Sequence, residues 1–270
     1  MSTAVQNTTT SVRRLYVLLC GFEILPKTVS TRNLGAHIIM SEPISAYLLD
    51  TTEGWILVDS GIDETRIDDP VLAKKYFVDR GWTRPPVVLP IHRLKYQLSL
   101  IGVEPEMINY VILTHTHADH TGNLKYFPNA KIYIQRQEYE YAFQSSEKLS
   151  GAWFRDDYDN RPATDWLLID GDTNIVPGLD LISTRGHTPG HQSVRVLLPS
   201  GRSIIMTGDA GDLLENYENE ILPGESVDDT AALKSIRRLN QLASLPNTCL
   251  FLCHDPILIQ TLKLLPDYYD

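Results

Sequence analysis

The amino-acid sequence predicts an α/β fold in which two sets of short strands form sheets, with helices lying between the strands along the chain. Apolar segments rich in β-branched residues recur in two groups, and Gly, Asp and Pro separate them. Segments with a helical spacing of apolar residues fall between these strands. A chain of 270 residues, 43% hydrophobic and 21% charged, is long enough to bury a sizeable core. The two strand sets look like one ββα-type unit used twice within a single domain.

The predicted strands divide into an N-terminal and a C-terminal set. The first set comprises residues 15–19, 44–49, 55–58, 111–113 and 131–134. The second set comprises residues 179–182, 193–198, 203–206 and 250–252. Residues 51–54 and 199–202 both contain Gly, so each segment is expected to join neighbouring strands as a hairpin turn.

Three segments have the apolar spacing of a helix. Residues 94–101 are followed by Gly102 as a plausible stop, and residues 136–143 form a second candidate. The clearest pattern runs over residues 228–245, where Asp228 or Asp229 can cap the helix and Ile236 and Leu239 share one face.

Composition limits the domain organisation and the partners. Residues 1–12 are polar and are expected to be a disordered lead-in, and residues 13–270 are expected to form a single domain. A net charge of −10 and a pI near 5.2 disfavour nucleic acid or an anionic membrane as the partner. Cys20, Cys249 and Cys253 are too few for a disulfide framework, which fits the cytoplasm. The sequence does not decide whether the protein is a monomer or a homodimer.

Four potential metal ligands lie within six residues, in His115-Thr-His117-Ala-Asp119-His120, directly after a predicted strand. Imidazole nitrogens and carboxylate oxygens suit a borderline divalent cation such as zinc. His115 and His117 can converge on one ion if the loop curls, and Asp119 and His120 can hold a second. One histidine here would indicate an ordinary polar turn, but four ligands favour two metals and hydrolytic chemistry.

Three further candidate ligands also follow predicted strands. His187 comes after strand 179–182, Asp209 after strand 203–206 and His254 after strand 250–252. Layered α/β folds build active sites from polar residues at such strand ends, and the glycines beside these residues allow sharp turns.

These seven residues fit two metal sites. One site would take His115, His117 and His187, and the other would take Asp119, His120 and His254. Asp209 is suited to bridge them because a carboxylate has one oxygen for each ion. Two metals roughly 3.5–4 Å apart can share a nucleophilic hydroxide at neutral pH, and Asp119 and Asp209 are therefore the candidate catalytic carboxylates.

Two residues near these sites are expected to act through the ligands. Asp59 ends predicted strand 55–58, where its carboxylate can accept the remaining N–H of a metal-bound imidazole. His191 follows Gly190 on the same turn as His187, and we expect it to pack in the turn or contact a ligand rather than bind metal.

The spaced set of Asp59-Ser-Gly61, the motif at 115–120, His187, Asp209 and His254 resembles the metallo-β-lactamase superfamily. The resemblance covers nearly the whole chain. It implies a four-layer αββα sandwich with a dinuclear metal site at one edge of the two sheets.

Within that superfamily, the flanking residues are most similar to the quorum-quenching N-acyl homoserine lactone lactonases. They are Gly186-His187-Thr-Pro-Gly190-His191, Gly208-Asp209-Ala and Cys253-His254-Asp255. This resemblance implies that a bridging hydroxide opens the lactone ring. It also implies two Zn²⁺ ions, with Co²⁺, Fe²⁺ or Mn²⁺ able to serve.

One position departs from that family. Many of these lactonases carry a Tyr three residues after the bridging Asp, and here the residue is Asp212. Tyr217 on the same loop is a candidate substitute, although a surface position is favoured for it. Asp212 is therefore a further candidate for proton delivery, or a sign of another substrate.

The substrate itself stays open at this point. Candidate contacts for an acyl chain are Phe22, Ile24, Trp82 and Trp153. The alternatives are a lactone of the γ-butyrolactone or pyridoxolactone type and a glyoxalase II-like thioester. A non-enzymatic metal-binding scaffold is disfavoured because structural zinc sites saturate their protein ligands and are often rich in cysteine.

Overall fold

A computed structural model describes residues 9–144 and 151–270, which form two mixed β-sheets with helices outside them. The first sheet contains β1 (Val12–Pro26), β2 (Ile39–Thr51), β3 (Gly54–Val58), β4 (Ile108–Ile112), β5 (Lys131–Gln135) and β6 (Trp166–Ile169), in that spatial order. Its first three strands are antiparallel, and β3 to β6 are parallel.

The second sheet has five strands. They are β7 (Thr173–Val176), β8 (Leu179–Ser183), β9 (Gln192–Leu197), β10 (Ser203–Met206) and β11 (Thr248–Phe251). Strands β7 to β10 pair antiparallel in chain order, and β11 is parallel to β10 at the edge. Parallel strands end at the same edge, so β3, β4, β10 and β11 can deliver side chains to one rim.

Within the described ranges, seven α-helices lie between the strands. They are α1 (Glu64–Asp68), α2 (Pro70–Tyr76), α3 (Leu94–Ser99), α4 (Ala118–Thr121), α5 (Arg136–Gln144), α6 (Leu214–Glu218) and α7 (Asp229–Ala243). Asp228 caps α7, since its side chain accepts a hydrogen bond from the backbone N–H of Ala231. None of the described helices combines the length and the hydropathy that crossing a bilayer requires.

Three apolar clusters divide the molecule into four layers. Leu15 and Val17 of β1 face the second sheet, while Tyr16 and Leu18 face the helices that cover the first sheet. A third cluster joins the outer face of the second sheet to α6 and α7. Burying one such Leu or Val side chain contributes about 1.5–3 kcal/mol. The αββα sandwich expected from the family resemblance is confirmed.

The structure adds two strands and corrects one boundary. The short edge strands β6 and β7 were not predicted, because their pairing with β5 and β8 defines them rather than any pattern of their own. Of the disordered lead-in predicted over residues 1–12, residues 1–8 lie outside the described part. At its end the prediction is wrong: the Ser11 N–H donates to the Pro177 carbonyl, and β1 begins at Val12.

Candidate metal centre

The motif at 115–120 lies in a tight loop after β4. The backbone N–H of Thr114 donates to Asp59 Oδ1 over 2.8 Å, which holds the start of the loop against the end of β3. The chain then turns into α4, so that His115 and His117 precede the helix and Asp119 and His120 lie on it. All four side chains are buried.

The first candidate metal position lies among three imidazoles and one carboxylate. Ligand atoms of His115, His117, His187 and Asp209 all lie within 4.8 Å of one another. His187 Nε2 is 3.1 Å from His117 Nδ1 and 3.4 Å from Asp209 Oδ2. His115 Nε2 is also 3.4 Å from Asp209 Oδ2, and it has no hydrogen-bond partner among the residues that the structure describes. A buried ring nitrogen without a partner is what a metal position requires.

The second candidate position uses the other half of the ligand set. Ligand atoms of Asp119, His120, Asp209 and His254 likewise lie within 4.8 Å of one another. His120 Nε2 is 3.0 Å from Asp119 Oδ2, and His254 Nε2 is 3.5 Å from the same oxygen. These donors and the first set match the two groups that the sequence analysis assigned.

Asp209 divides its two oxygens between the two positions. Oδ2 faces His115 and His187, whereas Oδ1 lies 3.2 Å from His120 Nε2 and 3.3 Å from His254 Nε2. Burial would raise the pKa of Asp209, but the surrounding imidazoles outweigh it and hold the pKa well below the usual range. The residue is therefore an ionised carboxylate placed between two sets of ligands.

The outer ring nitrogens of His187 and His254 have partners that fix the orientation of the rings. His187 Nδ1 lies 2.9 Å from the Glu225 carbonyl, and His254 Nδ1 lies 2.9 Å from the Pro43 carbonyl. A carbonyl oxygen accepts only, so each Nδ1 carries the proton and each Nε2 presents its lone pair to the centre.

Asp59 lies behind His120, as a carboxylate that orients an imidazole should. Its Oδ2 is 2.8 Å from His120 Nδ1 and accepts the Thr114 hydroxyl over 2.9 Å. The backbone at Asp59 has a φ of 57°, which turns the chain sharply after β3. The carboxylate is completely enclosed, and burial raises its pKa although His120 opposes the shift.

His191 contacts Asp209 rather than a metal position. Its Nε2 accepts the backbone N–H of Asp209 over 2.9 Å, so this nitrogen has no lone pair left for an ion. Its Nδ1 is 3.0 Å from the Thr184 carbonyl. Burial lowers the pKa of His191 to about 3, which keeps the ring neutral. Cys253 contacts Asp209 as well, through an Sγ to Oδ1 distance of 3.2 Å, which its sequence pattern did not predict.

The electrostatics of the cluster suit a cation. Burial lowers the pKa of His115 and His117 well below the usual value, so both rings are neutral ligands. Burial alone would lower the pKa of His120 too, but Asp119 and Asp209 outweigh it and raise the pKa well above the usual value. The same negative field that binds a proton on His120 attracts a divalent ion, so protons and metal compete.

Close backbone approaches hold the turn that carries His187. A Cβ on Gly190 would lie 2.1 Å from the Glu138 backbone nitrogen, and a Cβ on Gly186 would lie 2.2 Å from the Ala232 nitrogen. The buried Glu138 carboxylate accepts hydrogen bonds from the Gly190 N–H and from the Thr116 N–H and hydroxyl. Glu138 therefore ties the turn to the loop that carries the 115–120 motif.

A cleft of about 190 Å³ opens onto the ligands His117, Asp119, His187, Asp209 and His254. Of the four residues predicted to contact substrate, Ile24 and Trp82 line it.

Phe22 and Trp153 do not line this cleft. Phe22 packs edge-on against His92, and the Trp153 indole N–H donates to Thr116 Oγ1 beside His117. Both rings are used in packing, and the contact with substrate expected of these two residues stays a prediction.

The residues near position 212 also differ from expectation. Tyr217 lies on α6 in the apolar cluster with Ile205 and Ile236, so it belongs neither to the surface nor to the cleft. Asp212 does line the cleft, and so do Glu23 and Glu42, which the sequence analysis missed. In the sequence, Glu23 and Glu42 are marked as candidates only by being charged residues within strand-like segments.

Comparisons with known proteins agree with this geometry. The model of the metallo-beta-lactamase superfamily matches residues 41–254. An N-acyl homoserine lactonase from a Bacillus species is 34% identical over 258 residues, covering 96% of this chain and 99% of the relative. The N-acyl homoserine lactonase AttM of Rhizobium johnstonii is 32% identical and covers 95% of this chain and 98% of its own.

Solved structures give the same assignment. One is an N-acyl homoserine lactone hydrolase with its product N-hexanoyl-L-homoserine bound at the catalytic metal centre. It superposes on this chain with a TM-score of 0.84 at 30% identity, and the match covers 96% of this chain and all of that chain. The dizinc quorum-quenching lactonase AidC has a TM-score of 0.68 at 16% identity, covers 92% of each chain and supports the fold alone. The chain belongs to the metallo-β-lactamase superfamily.

Proposed function

We propose that the protein is a metal-dependent lactone hydrolase that opens the ring of N-acyl homoserine lactones. The observation that carries the proposal is the placement of Asp209, whose two oxygens each face a separate group of buried imidazoles. The N-acyl homoserine lactonases that are similar over nearly the full chain support the substrate class.

The ligand set suits two divalent ions. His115, His117 and His187 would hold one ion, Asp119, His120 and His254 the other, and Asp209 would contact both. Imidazole and carboxylate donors fit Zn²⁺, and also Co²⁺, Fe²⁺ or Mn²⁺. When bound, such ions supply Lewis acidity and make water nucleophilic at neutral pH.

The protein's own residues orient and enclose the reacting groups. Asp59 and His191 fix His120 and the Asp209 backbone by hydrogen bonds of 2.8 and 2.9 Å. Ile24 and Trp82 line the cleft beside the ligands, where they would exclude water from one side of a bound lactone.

The cleft also favours a second candidate. Its volume of about 190 Å³ and its several carboxylates suit a small or polar substrate better than a long acyl chain. A γ-butyrolactone or pyridoxolactone type of ring, or a glyoxalase II-like thioester, is therefore the alternative.

Ring opening releases a proton, so a pH-stat assay tests the proposal without a chromogenic substrate. The protein should hydrolyse N-hexanoyl homoserine lactone, and a chelator should abolish the reaction. Activity on a thioester, with none on N-acyl homoserine lactones or γ-butyrolactone, would overturn the proposal.

We propose further that residues 13–270 act as one hydrolase domain in the cytoplasm, as a monomer or homodimer, without nucleic acid or membrane as a partner. Three unpaired cysteines support a reducing compartment. The acidic composition supports a small-molecule substrate. Size-exclusion chromatography with light scattering tests the oligomeric state.

A further inference from the structure

Three carboxylates that the proposed chemistry does not use face the cleft. They are Glu23 on β1, Glu42 on β2 and Asp212 after β10. We call them the acidic wall. Glu23 and Glu42 are direct cross-strand partners, an arrangement in which like charges destabilise a sheet. Asp212 stands three residues after Asp209.

Two oxygens of the acidic wall are buried and have no hydrogen-bond partner among residues 9–144 and 151–270. Glu42 Oε2 accepts the Ser30 hydroxyl over 2.6 Å, whereas Glu42 Oε1 has no hydrogen bond. Asp212 Oδ1 is likewise buried without one. The two side chains are only 1% and 7% exposed. Since a buried carboxylate oxygen without a donor is costly, these atoms indicate a missing ligand that carries hydrogen-bond donors or positive charge.

No lysine or arginine in the described part of the chain pairs with this wall. Among the described residues, lysines and arginines form ion pairs with other carboxylates but not with Glu23, Glu42 or Asp212. Arg80 lines the same cleft, but it donates to the Trp153 carbonyl and lies 4.6 Å from the Phe154 ring centre.

A third metal ion fits the wall poorly. Among the described residues, two groups have three or more ligand atoms within 4.8 Å of one another, and both contain Asp209. The three wall carboxylates do not form such a group. A spread set of oxygens suits a bulkier charged group, such as a substituted ammonium.

We propose that the acidic wall binds a positively charged substituent of the substrate, so that the enzyme prefers a cationic lactone to a neutral one of the same shape. This inference rests on the proposed lactonase function for its reaction, and on Glu42 and Asp212 for its selectivity. Because the wall and the metal ligands line one cleft, the cation would be bound close to the ring that opens.

The test uses two lactones that differ only in charge. N-(trimethylglycyl)-homoserine lactone carries a permanent positive charge, and N-(3,3-dimethylbutanoyl)-homoserine lactone replaces its nitrogen by carbon. We expect kcat/KM to favour the cationic lactone by about tenfold or more in the metal-loaded protein, as an attraction of about 1.4 kcal/mol would give. The E42Q/D212N variant should bring the ratio near one. The E53Q/E106Q variant changes net charge equally at two exposed positions and should keep the ratio.

A ratio at or below one in the wild type, or a ratio unchanged in E42Q/D212N, would overturn the inference. So would loss of bound metal in E42Q/D212N with the ratio retained, since the wall would then serve the metals.

Binding separates this inference from the proposed function. Choline and 3,3-dimethylbutan-1-ol form a second matched pair, and calorimetry on the metal-loaded protein needs no turnover. Selective binding of choline that E42Q/D212N abolishes, with neither lactone opened, would support the wall as a cation site and refute the lactonase function. Equal binding of both alcohols would overturn the inference whatever the activity.

Discussion

Replacing Glu42 with Gln should stabilise the metal-free protein at alkaline pH. Burial raises the pKa of Glu42 from an ordinary value of 4.5 to about 7, with Asp209 and Asp255 adding to the shift and His254 and the Ser30 hydroxyl opposing it. A change of this size corresponds to about 3 kcal/mol of differential stability. Metal should be removed with a chelator, because cations beside His254 would lower the pKa of Glu42.

The sign follows from the raised pKa. Below pH 4.5 the carboxyl is protonated in both the folded and the unfolded state, so it costs the fold nothing. Between pH 4.5 and the folded pKa of about 7, the unfolded state loses its proton while the folded state keeps it, so the free energy of unfolding falls. Above about pH 7 the folded carboxyl is ionised too, and the fold carries the full cost of burying that charge. Wild type should therefore lose stability relative to E42Q between pH 4.5 and pH 8.

Thermal unfolding by circular dichroism measures this difference. About 3 kcal/mol corresponds to roughly 6 to 12 °C in Tm for a chain of this size. E42Q should thus melt higher than wild type at pH 8 and within about 2 °C of it at pH 4.5. E53Q, which removes an exposed carboxylate, should show no such dependence. An E42Q variant that is no more stable than wild type at pH 8 would refute the reasoning.

Four other substitutions test the centre. Asp209→Asn and His120→Ala should each lower kcat/KM for lactone at least about a thousandfold while the circular dichroism spectrum stays native; full activity in either would refute a two-metal site. Asp59→Asn should weaken metal binding about 10- to 100-fold in a chelator competition, because it replaces by an NH₂ donor one of the two oxygens that accept from Thr114 and face His120 Nδ1 at 2.8 Å. Unchanged affinity would refute its orienting role. Gly190→Ala should give little folded protein on expression, because its Cβ would lie 2.1 Å from the Glu138 nitrogen; a native Tm would contradict that contact.

The sequence was informative where ligands lie close together or follow a strand. Four ligands of the 115–120 motif are neighbours in the chain, so their grouping needed no tertiary information. His187 and His254 could be added because each follows an apolar strand whose end faces one rim. The strands could be predicted because both of their faces are buried, as at Leu15 and Tyr16. Such segments are continuously apolar in the sequence.

The Glu23 and Glu42 part of the acidic wall could not be predicted, because these two side chains meet only through strand pairing. Glu23 and Glu42 are separated by a loop, and their register across β1 and β2 depends on a bulge between Leu19 and Gly21. The predicted strand ended at residue 19, next to this bulge, whereas β1 continues to Pro26. The packing of Trp153 beside His117 could not be predicted either, since the sequence does not show which way the aromatic ring of a loop residue packs.

Metal stoichiometry and ring opening measured on one sample test the central claim most directly. The account predicts two divalent ions per chain by elemental analysis and hydrolysis of N-hexanoyl homoserine lactone in a pH-stat. Activity should disappear as a chelator removes the ions and return when Zn²⁺ is restored. Full activity in protein free of metal, or two bound ions with no lactone opened, would contradict it.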